Sequence, residues 1–300
     1  MENKDIKIAV LGNVNSDFTI VCEHLPRAGE TIKAKSFSVG LGGKASNVCV
    51  ASARLGAKSK LISAVGDDDL SKSNLQLLTK ENVDVSNVKV VKNMNGGVAF
   101  VTTGDGTNHI AVNSGANGTF CLKDMKERIN VALESDVVVS QLEVAFECAE
   151  YLIEECYKHN KLIIFNPSPI RRLKQDLLDK SSYIIVNEVE IKELPSYESE
   201  EQMLKKYKGK LILTKGAEGV YFYENEEVKH IPALKVKAIN TTGAGDTFLA
   251  AFSVKVAQGL SLEESITFAN ACAGIKTLKL GTQTGMPTEK EVKEFLKNYN

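Results

Sequence analysis

The segment Asn240-Thr-Thr-Gly-Ala-Gly-Asp-Thr-Phe248 sets small residues and one carboxylate ahead of an apolar run that reads as a helix starting near Asp246. Gly243 and Gly245 let backbone come close to a ligand, and the unpaired N–H groups of a helix N-terminus favour an anion such as a phosphoryl group. Asp246 then admits two readings. It caps the helix and complements its dipole, or it is a general base that takes the proton of an attacking hydroxyl. In the second reading the amides of Gly243, Ala244 and Gly245 stabilise charge on a transferring phosphoryl group. A second block, Gly42-Gly43-Lys44-Ala45-Ser46-Asn47, also opens a helical pattern. Gly43 permits close approach of a small polar ligand, Lys44 donates to it, and Asn47 both donates and accepts; a glycine turn with a solvated lysine is the plainer alternative. No G-x-x-x-x-G-K-[ST] loop is present and no G-x-G-x-x-G follows the first apolar run, so a nucleotide site must use other loops.

Positioning these groups is the work of short Val- and Ile-rich runs alternating with helical patterns. Strands are expected at 6–12, 59–65, 136–142, 161–165, 182–186 and 210–214, and helices at 43–55, 68–80, 146–159, 199–207, 246–258 and 262–279. Runs apolar on both faces belong in a parallel sheet covered by crossover helices, which predicts a three-layer α/β/α sandwich with a mostly parallel central sheet. Residues 15–41 and 96–114 alternate instead like exposed antiparallel strands, the second with Asp105-Gly106 as its turn, and predict a small β-sheet lid projecting from one domain spanning 1–300. Residues 219–232 read as a further hairpin about Glu224-Asn225. Ligands of parallel α/β sheets lie beyond the carboxyl ends of the strands, where this chain places Asn13, Asn15, Asp17, Glu143, Asn166, Asn187, Glu188, Glu190, Thr214, Lys215 and Gly216. Each alone reads as a cap or turn residue, and together they read as the rim of a cleft.

Lys and Arg number 37 against 38 Asp and Glu, a net charge of -1, so no global field exists for gripping nucleic acid or an anionic membrane. The absence of tryptophan removes the best stacking platform for single strands. Six scattered cysteines form no C-x-x-C pair, which predicts reduced thiols rather than a disulfide framework or a zinc site. No run approaches a membrane span and the N-terminus carries no leader pattern, so a cytoplasmic location is expected.

Taken in order, Asn15-x-Asp17, Gly42-Gly43-x-x-x-Asn47, Ala51-x-x-x-Leu55-Gly56-Ala57, Ser114-Gly-Ala-Asn117, Asn187-x-x-Glu190 and Thr242-Gly-Ala-Gly-Asp-Thr-Phe248 resemble the ribokinase-like family of sugar and nucleoside kinases along essentially the whole chain. The resemblance implies transfer of the γ-phosphoryl group of Mg-ATP to a hydroxymethyl group. By matching positions it makes Asp246 the base and Gly243, Ala244 and Gly245 the anion hole. It assigns Asn15, Asp17, Gly43, Lys44, Asn47 and Glu143 to substrate hydroxyls, Asn187 and Glu190 to phosphates and, indirectly, Mg²⁺. Thr214, Lys215, Gly216, Gly219 and Asn270 fall on the nucleotide side, and Asn240 and Thr242 in a monovalent-cation loop.

Within the family, Lys44, the lid hairpin and the Ser114–Asn117 turn are most similar to members that make ribose 5-phosphate from ribose; another sugar, a nucleoside, or a non-catalytic sugar or nucleotide sensor are the alternatives. Two departures matter. Ala45-Ser46 replaces the family's Gly-Ala and is expected to add bulk beside the sugar pocket, and Asn240 replaces an aspartate, which weakens the case for K⁺. An apolar two-faced lid also needs a cover, which predicts a homodimer through the lid.

Overall fold

The computed structural model describes residues 5–299. The chain opens with β1 (Lys7–Leu11), β2 (Asn15–Val21) and β3 (Ser36–Gly42), followed by α1 (Lys44–Arg54), β4 (Lys58–Gly66) and α2 (Asp69–Lys80). Short strands β5 (Val83–Asp84) and β6 (Val88–Val91) precede the hairpin β7 (Gly97–Gly104) and β8 (Thr107–Asn113). Then come α3 (Leu122–Leu133), β9 (Val137–Ser140), α4 (Phe146–Lys158), β10 (Leu162–Phe165), α5 (Gln175–Lys180), β11 (Tyr183–Asn187), α6 (Glu200–Lys206) and β12 (Leu211–Thr214). A second hairpin, β13 (Gly219–Glu224) and β14 (Glu227–Pro232), leads to α7 (Ala244–Ala257), α8 (Leu262–Lys276) and α9 (Glu289–Tyr299).

The main sheet runs β14-β13-β12-β11-β10-β9-β1-β4-β5, with β6 also on β4. It is parallel from β12 to β5 and ends in the antiparallel β13–β14 hairpin. Alternation along each strand divides the core in two. Ile8, Val10, Val139, Ile164 and Ile212 pack with α1, α7 and α8 on one face, while Ala9, Leu11, Val138, Phe165 and Leu213 pack with α4 and its neighbours on the other. Each fully buried Val, Leu, Ile or Phe among them contributes about 1.5–3 kcal/mol, so the sandwich holds the strand ends rigidly. Among the described residues no helix is long and apolar enough to cross a membrane.

All six expected strands and six expected helices are present, with ends displaced by a few residues; α7 begins at Ala244, ahead of Asp246. Helices α3, α5 and α9 were not anticipated. The lid is a four-stranded sheet, β3-β2-β7-β8, whose two hairpins are antiparallel while the central β2–β7 pair is parallel, because β1 and the loop before β7 feed both from the same end. Asp105 and Gly106 turn the second hairpin with φ of 53° and 73°, both left-handed. In β13–β14 the left-handed pair is Asn225-Glu226, one residue later than expected, which sets Glu224 opposite Glu227.

Candidate active site

From β1 the main sheet grows to β4 on one side and to β9 on the other, and this switch in direction opens a crevice beyond the strand ends. Asp246 stands at its base in the first turn of α7. The N-cap, Gly243, has a φ of 80°, and a Cβ there would meet the Thr282 side chain, so glycine suits the turn on both counts. Asn47 Nδ2 donates to Asp246 Oδ2 at 2.8 Å, and Gln283 Nε2 donates to Asn47 Oδ1 at 3.0 Å, fixing the Asn47 amide from behind. Burial pushes the Asp246 carboxyl above the usual range, while the Lys44 ammonium, the Asn47 and Gln141 side chains and the Lys276 ammonium oppose it. Burial works against the charge of Lys44, yet Asp246, Glu143 and Glu190 together raise its pKa, so it is a firmly charged ammonium amid carboxylates. The Ala244 N–H donates to Thr241 O at 3.1 Å and so drops out of the expected anion hole. Gly243 and Gly245 keep amides without a backbone partner among the described residues, and the Asp246 N–H joins them.

The lid supplies the opposite wall. Asn15 and Asp17 share one face of β2, and Asn15 lies between Gly42 and Gly97 in register, which leaves that face open. A Cβ on Gly42 would overlap the Asp17 carboxylate. Burial, then Glu143 and Asp246, lift Asp17 to about 6. The Asn15 Oδ1 accepts from Asn117 Nδ2 at 2.9 Å, so Asn15 presents its amide N–H groups, held by the Ser114–Asn117 turn. Gly43, with φ of 92°, caps α1 and starts it beneath this wall. Glu143 is raised by burial and moderated by Lys44 and the Asn13 amide. Three buried atoms at this rim, Asn13 Oδ1, Gln141 Oε1 and Glu143 Oε2, have no hydrogen-bond partner among the described residues, and hydroxyl donors would satisfy them. Ala45 and Ser46 do not crowd the pocket as expected. Both are fully buried, Ala45 against Gly12, and the Ser46 hydroxyl donates to the Gly42 and Gly43 carbonyls at 2.5 and 2.9 Å.

Beyond Asp246 a polar cavity of about 130 Å³ is lined by Lys44, Asn166, Asn187, Glu190, Gly245 and others. Asn187 and Glu190 cap each other: Asn187 Oδ1 accepts from the Glu190 N–H at 2.8 Å, and Glu190 Oε2 from the Asn187 N–H at 3.0 Å. Among the described residues no group of three or more His, Cys, Asp or Glu is arranged for a metal. A magnesium ion, which prefers phosphate and water oxygens with one or two carboxylates, fits this sparse donor set with Glu190 alongside. Thr214 and Gly245 also line the adjoining cavity of about 320 Å³, a mostly apolar slot that includes Gly216, Gly219, Val236 and Asn270. Its volume and apolar lining suit a heteroaromatic base. Asn270 reaches this slot but spends its Nδ2 on Pro232 O at 2.8 Å. Lys215 does not reach it. Its ammonium, largely covered, lies 3.4 Å from both Glu200 and Glu218.

In the loop expected to hold a monovalent cation, Asn240 Oδ1 accepts from the Thr242 N–H at 2.8 Å, and Asn240 O accepts from Lys276 Nζ at 3.0 Å. Gln141, Lys276 and Gln283 were not among the candidates. The strand-end rule points to Gln141, whereas nothing local marks the other two.

The model of the pfkB family carbohydrate kinases matches residues 5–289. The chain is 35% identical over 289 residues to the ribokinase of Bacillus subtilis, covering 96% of this chain and 99% of that one. It is 28% identical to the deoxyribokinase of Salmonella typhi, with 96% and 98% covered. Ribokinase of Thermotoga maritima superimposes with a TM-score of 0.84 at 32% identity over 98% of this chain and 100% of the other. The Arabidopsis thaliana ribokinase complexed with ribose and ATP gives 0.86 at 27%, with 97% and 99% covered. With a family model along nearly its whole length and relatives above 30% identity end to end, the chain belongs to the pfkB family of carbohydrate kinases.

Proposed function

We propose that this kinase transfers the γ-phosphoryl group of ATP to the hydroxymethyl oxygen of ribose, giving ribose 5-phosphate and ADP. The observation that carries the reading is Asp246. It is a carboxylate whose pKa is raised by burial, oriented by Asn47, beside free amides at a helix start, at the junction of a wall of carboxylates and amides suited to sugar hydroxyls and a mostly apolar cavity. The hydroxymethyl oxygen bonds to the γ-phosphorus as the bond to the β–γ bridging oxygen breaks, and the hydroxyl proton passes to Asp246. The amides of Gly243, Gly245 and Asp246 and the Lys44 ammonium stabilise the charge spread over the moving group. Magnesium, when bound with the nucleotide, neutralises phosphate charge, with Asn187 and Glu190 on that side.

On the sugar side, Asp17 accepts from two neighbouring hydroxyls while Asn15, Asn47, Glu143 and the Gly43–Lys44 turn hold the rest. The vicinal diol that Asp17 prefers favours ribose over 2-deoxyribose, and the inward packing of Ala45 and Ser46 takes nothing from the pocket. The chain acts as one catalytic unit with β2, β3, β7 and β8 as its lid. Phe18 stacks on Phe100 at 5.0 Å and on Phe37 at 6.3 Å on the outer lid face, where Phe37 and Phe100 are 61% and 51% exposed. Such a surface supports lid-to-lid pairing of two copies. ADP release from Mg-ATP should be measured with ribose, 2-deoxyribose, fructose, adenosine, cytidine and fructose 6-phosphate, with Asp246→Asn as control. A clear preference for ribose, lost in the variant, is expected; preference for a nucleoside would reassign the acceptor, and silence across the panel would favour a sensor.

A further inference from the structure

Lys276 is the last residue of α8 and is wholly buried, yet no carboxylate lies within ion-pair distance of its ammonium among the described residues. Its Nζ donates to Asn240 O at 3.0 Å and approaches Asn240 Oδ1 at 3.4 Å. The same Oδ1 accepts from the Thr242 N–H, and Thr277 O accepts from the N–H groups of Ile239 and Asn240 at 2.7 and 3.1 Å. The end of α8 thus grips the loop that turns through Gly243 into the free amides and Asp246. A Cβ on Gly285 would lie 3.3 Å from Lys276 Cε, so the 283–285 turn closes over the lysine stem from the side that also orients Asn47. A buried charge whose direct partners are carbonyl oxygens, with the Asp246 carboxylate acting on it only through space, is costly to keep, and a core with no use for it would hold an apolar side chain there.

The residues present therefore do not fit a monovalent cation in this loop: its oxygens are already turned to an ammonium, and the neutral Asn240 offers no charge to draw a second cation. We propose that the Lys276 ammonium is a built-in, covalently tethered cation that holds the 239–243 loop in the phosphoryl-transfer geometry and makes this enzyme independent of added K⁺. Lys276 acts through the loop amides and through the field it exerts on Asp246, which makes it a positioning residue. Burial draws its pKa down to about 8 while Asp246 supports the charge, so the charged form prevails at neutral pH.

The inference rests on the kinase reading for its activity arm alone. Wild type, Lys276→Ala and Lys276→Met are compared in tetramethylammonium buffer with and without 100 mM K⁺ or NH₄⁺, by kcat, KM for the sugar, calorimetric ADP binding and thermal melting. Wild type should change less than twofold in kcat and show no K⁺-dependent shift in melting. Lys276→Ala should lose about tenfold to a hundredfold in kcat, less than the roughly hundred- to thousandfold of a donor that touches the transition state directly, with KM within twofold. K⁺ or NH₄⁺ should restore part of that loss and raise its melting temperature, whereas Lys276→Met, which fills the space without charge, should not respond. Saturable activation of wild type by K⁺ overturns the proposal, and that arm needs no variant to fold. Wild-type kcat in both variants overturns it equally. A wild type that binds ADP but turns over no sugar would sink the kinase reading instead, leaving cation-dependent melting of Lys276→Ala to decide this one.

Discussion

The acid limb of sugar binding should belong to Asp17. Its carboxyl is lifted from 3.8 to about 6 by burial and by Glu143 and Asp246, and only the ionised form accepts from two hydroxyls. If ligation requires the ionised form, the apparent Kd rises by a factor of one plus the protonated-to-ionised ratio. That is negligible at pH 7.5 and roughly tenfold at pH 5, or about 1.4 kcal/mol. Calorimetric titration of ribose in the absence of nucleotide isolates this from Asp246, whose role as base is not engaged. Glu143→Gln removes one of the like charges and should move the limb to lower pH, and Asp17→Asn should bind weakly at every pH. A Kd equal at pH 5 and 7.5, or a tenfold pH effect that survives in Asp17→Asn, would refute the assignment. The same shift has a stability consequence. A folded-state pKa above the unfolded one contributes stability fully present below about 3.8 and lost as pH rises through about 6. At pH 8 the ionised Asp17 therefore costs roughly 3 kcal/mol, and Asp17→Asn should unfold at higher urea by up to that amount while losing its substrate.

Asp246→Asn should keep its fold and lower kcat by about a hundredfold or more, read by steady-state turnover beside a melting curve; unchanged turnover would return Asp246 to helix capping. Glu190→Gln should raise the Mg²⁺ concentration needed for half-maximal rate, with ribose KM unmoved; an altered ribose KM would show the cleft to be oriented the other way. Lys276 has a folded pKa depressed from 10.5 to about 8 by burial, so the unfolded chain binds more protons between these values and stability rises across them. With Asp246 the charged group facing it, urea titrations should show wild type gaining roughly 2–3 kcal/mol on Lys276→Met between pH 7 and 10, and parallel curves would count against the assignment. Phe100→Ser, on the exposed lid face, should reduce the mass seen by light scattering from two chains to one; a wild type already monomeric would remove the dimer.

Much of this site is readable in the chain because its chemistry is locally encoded. A glycine turn followed by an aspartate at a helix start, or Asn187 three residues before Glu190, needs only its own neighbours to form, and the Asn187–Glu190 pair closes through reciprocal hydrogen bonds within four residues. The Val and Ile runs likewise declare a doubly covered sheet, because alternate residues of each strand must be buried on opposite faces. Pairing across long separations is not encoded in that way. Only the folded chain brings Asn47 to Asp246, Gln283 to Asn47 and Lys276 to Asn240, pairs Lys215 with Glu200, and ties the Ala244 amide into a turn. Whether Ala45 and Ser46 fill the pocket or the core depends on the direction in which α1 leaves Gly43, which the packing against Gly12 decides. The residue types and their order therefore determine the sandwich, the family and the carboxylate proposed to react. The charge of that carboxylate and the cation beneath its loop depend on burial and on distance through space, which exist only once the layers have packed.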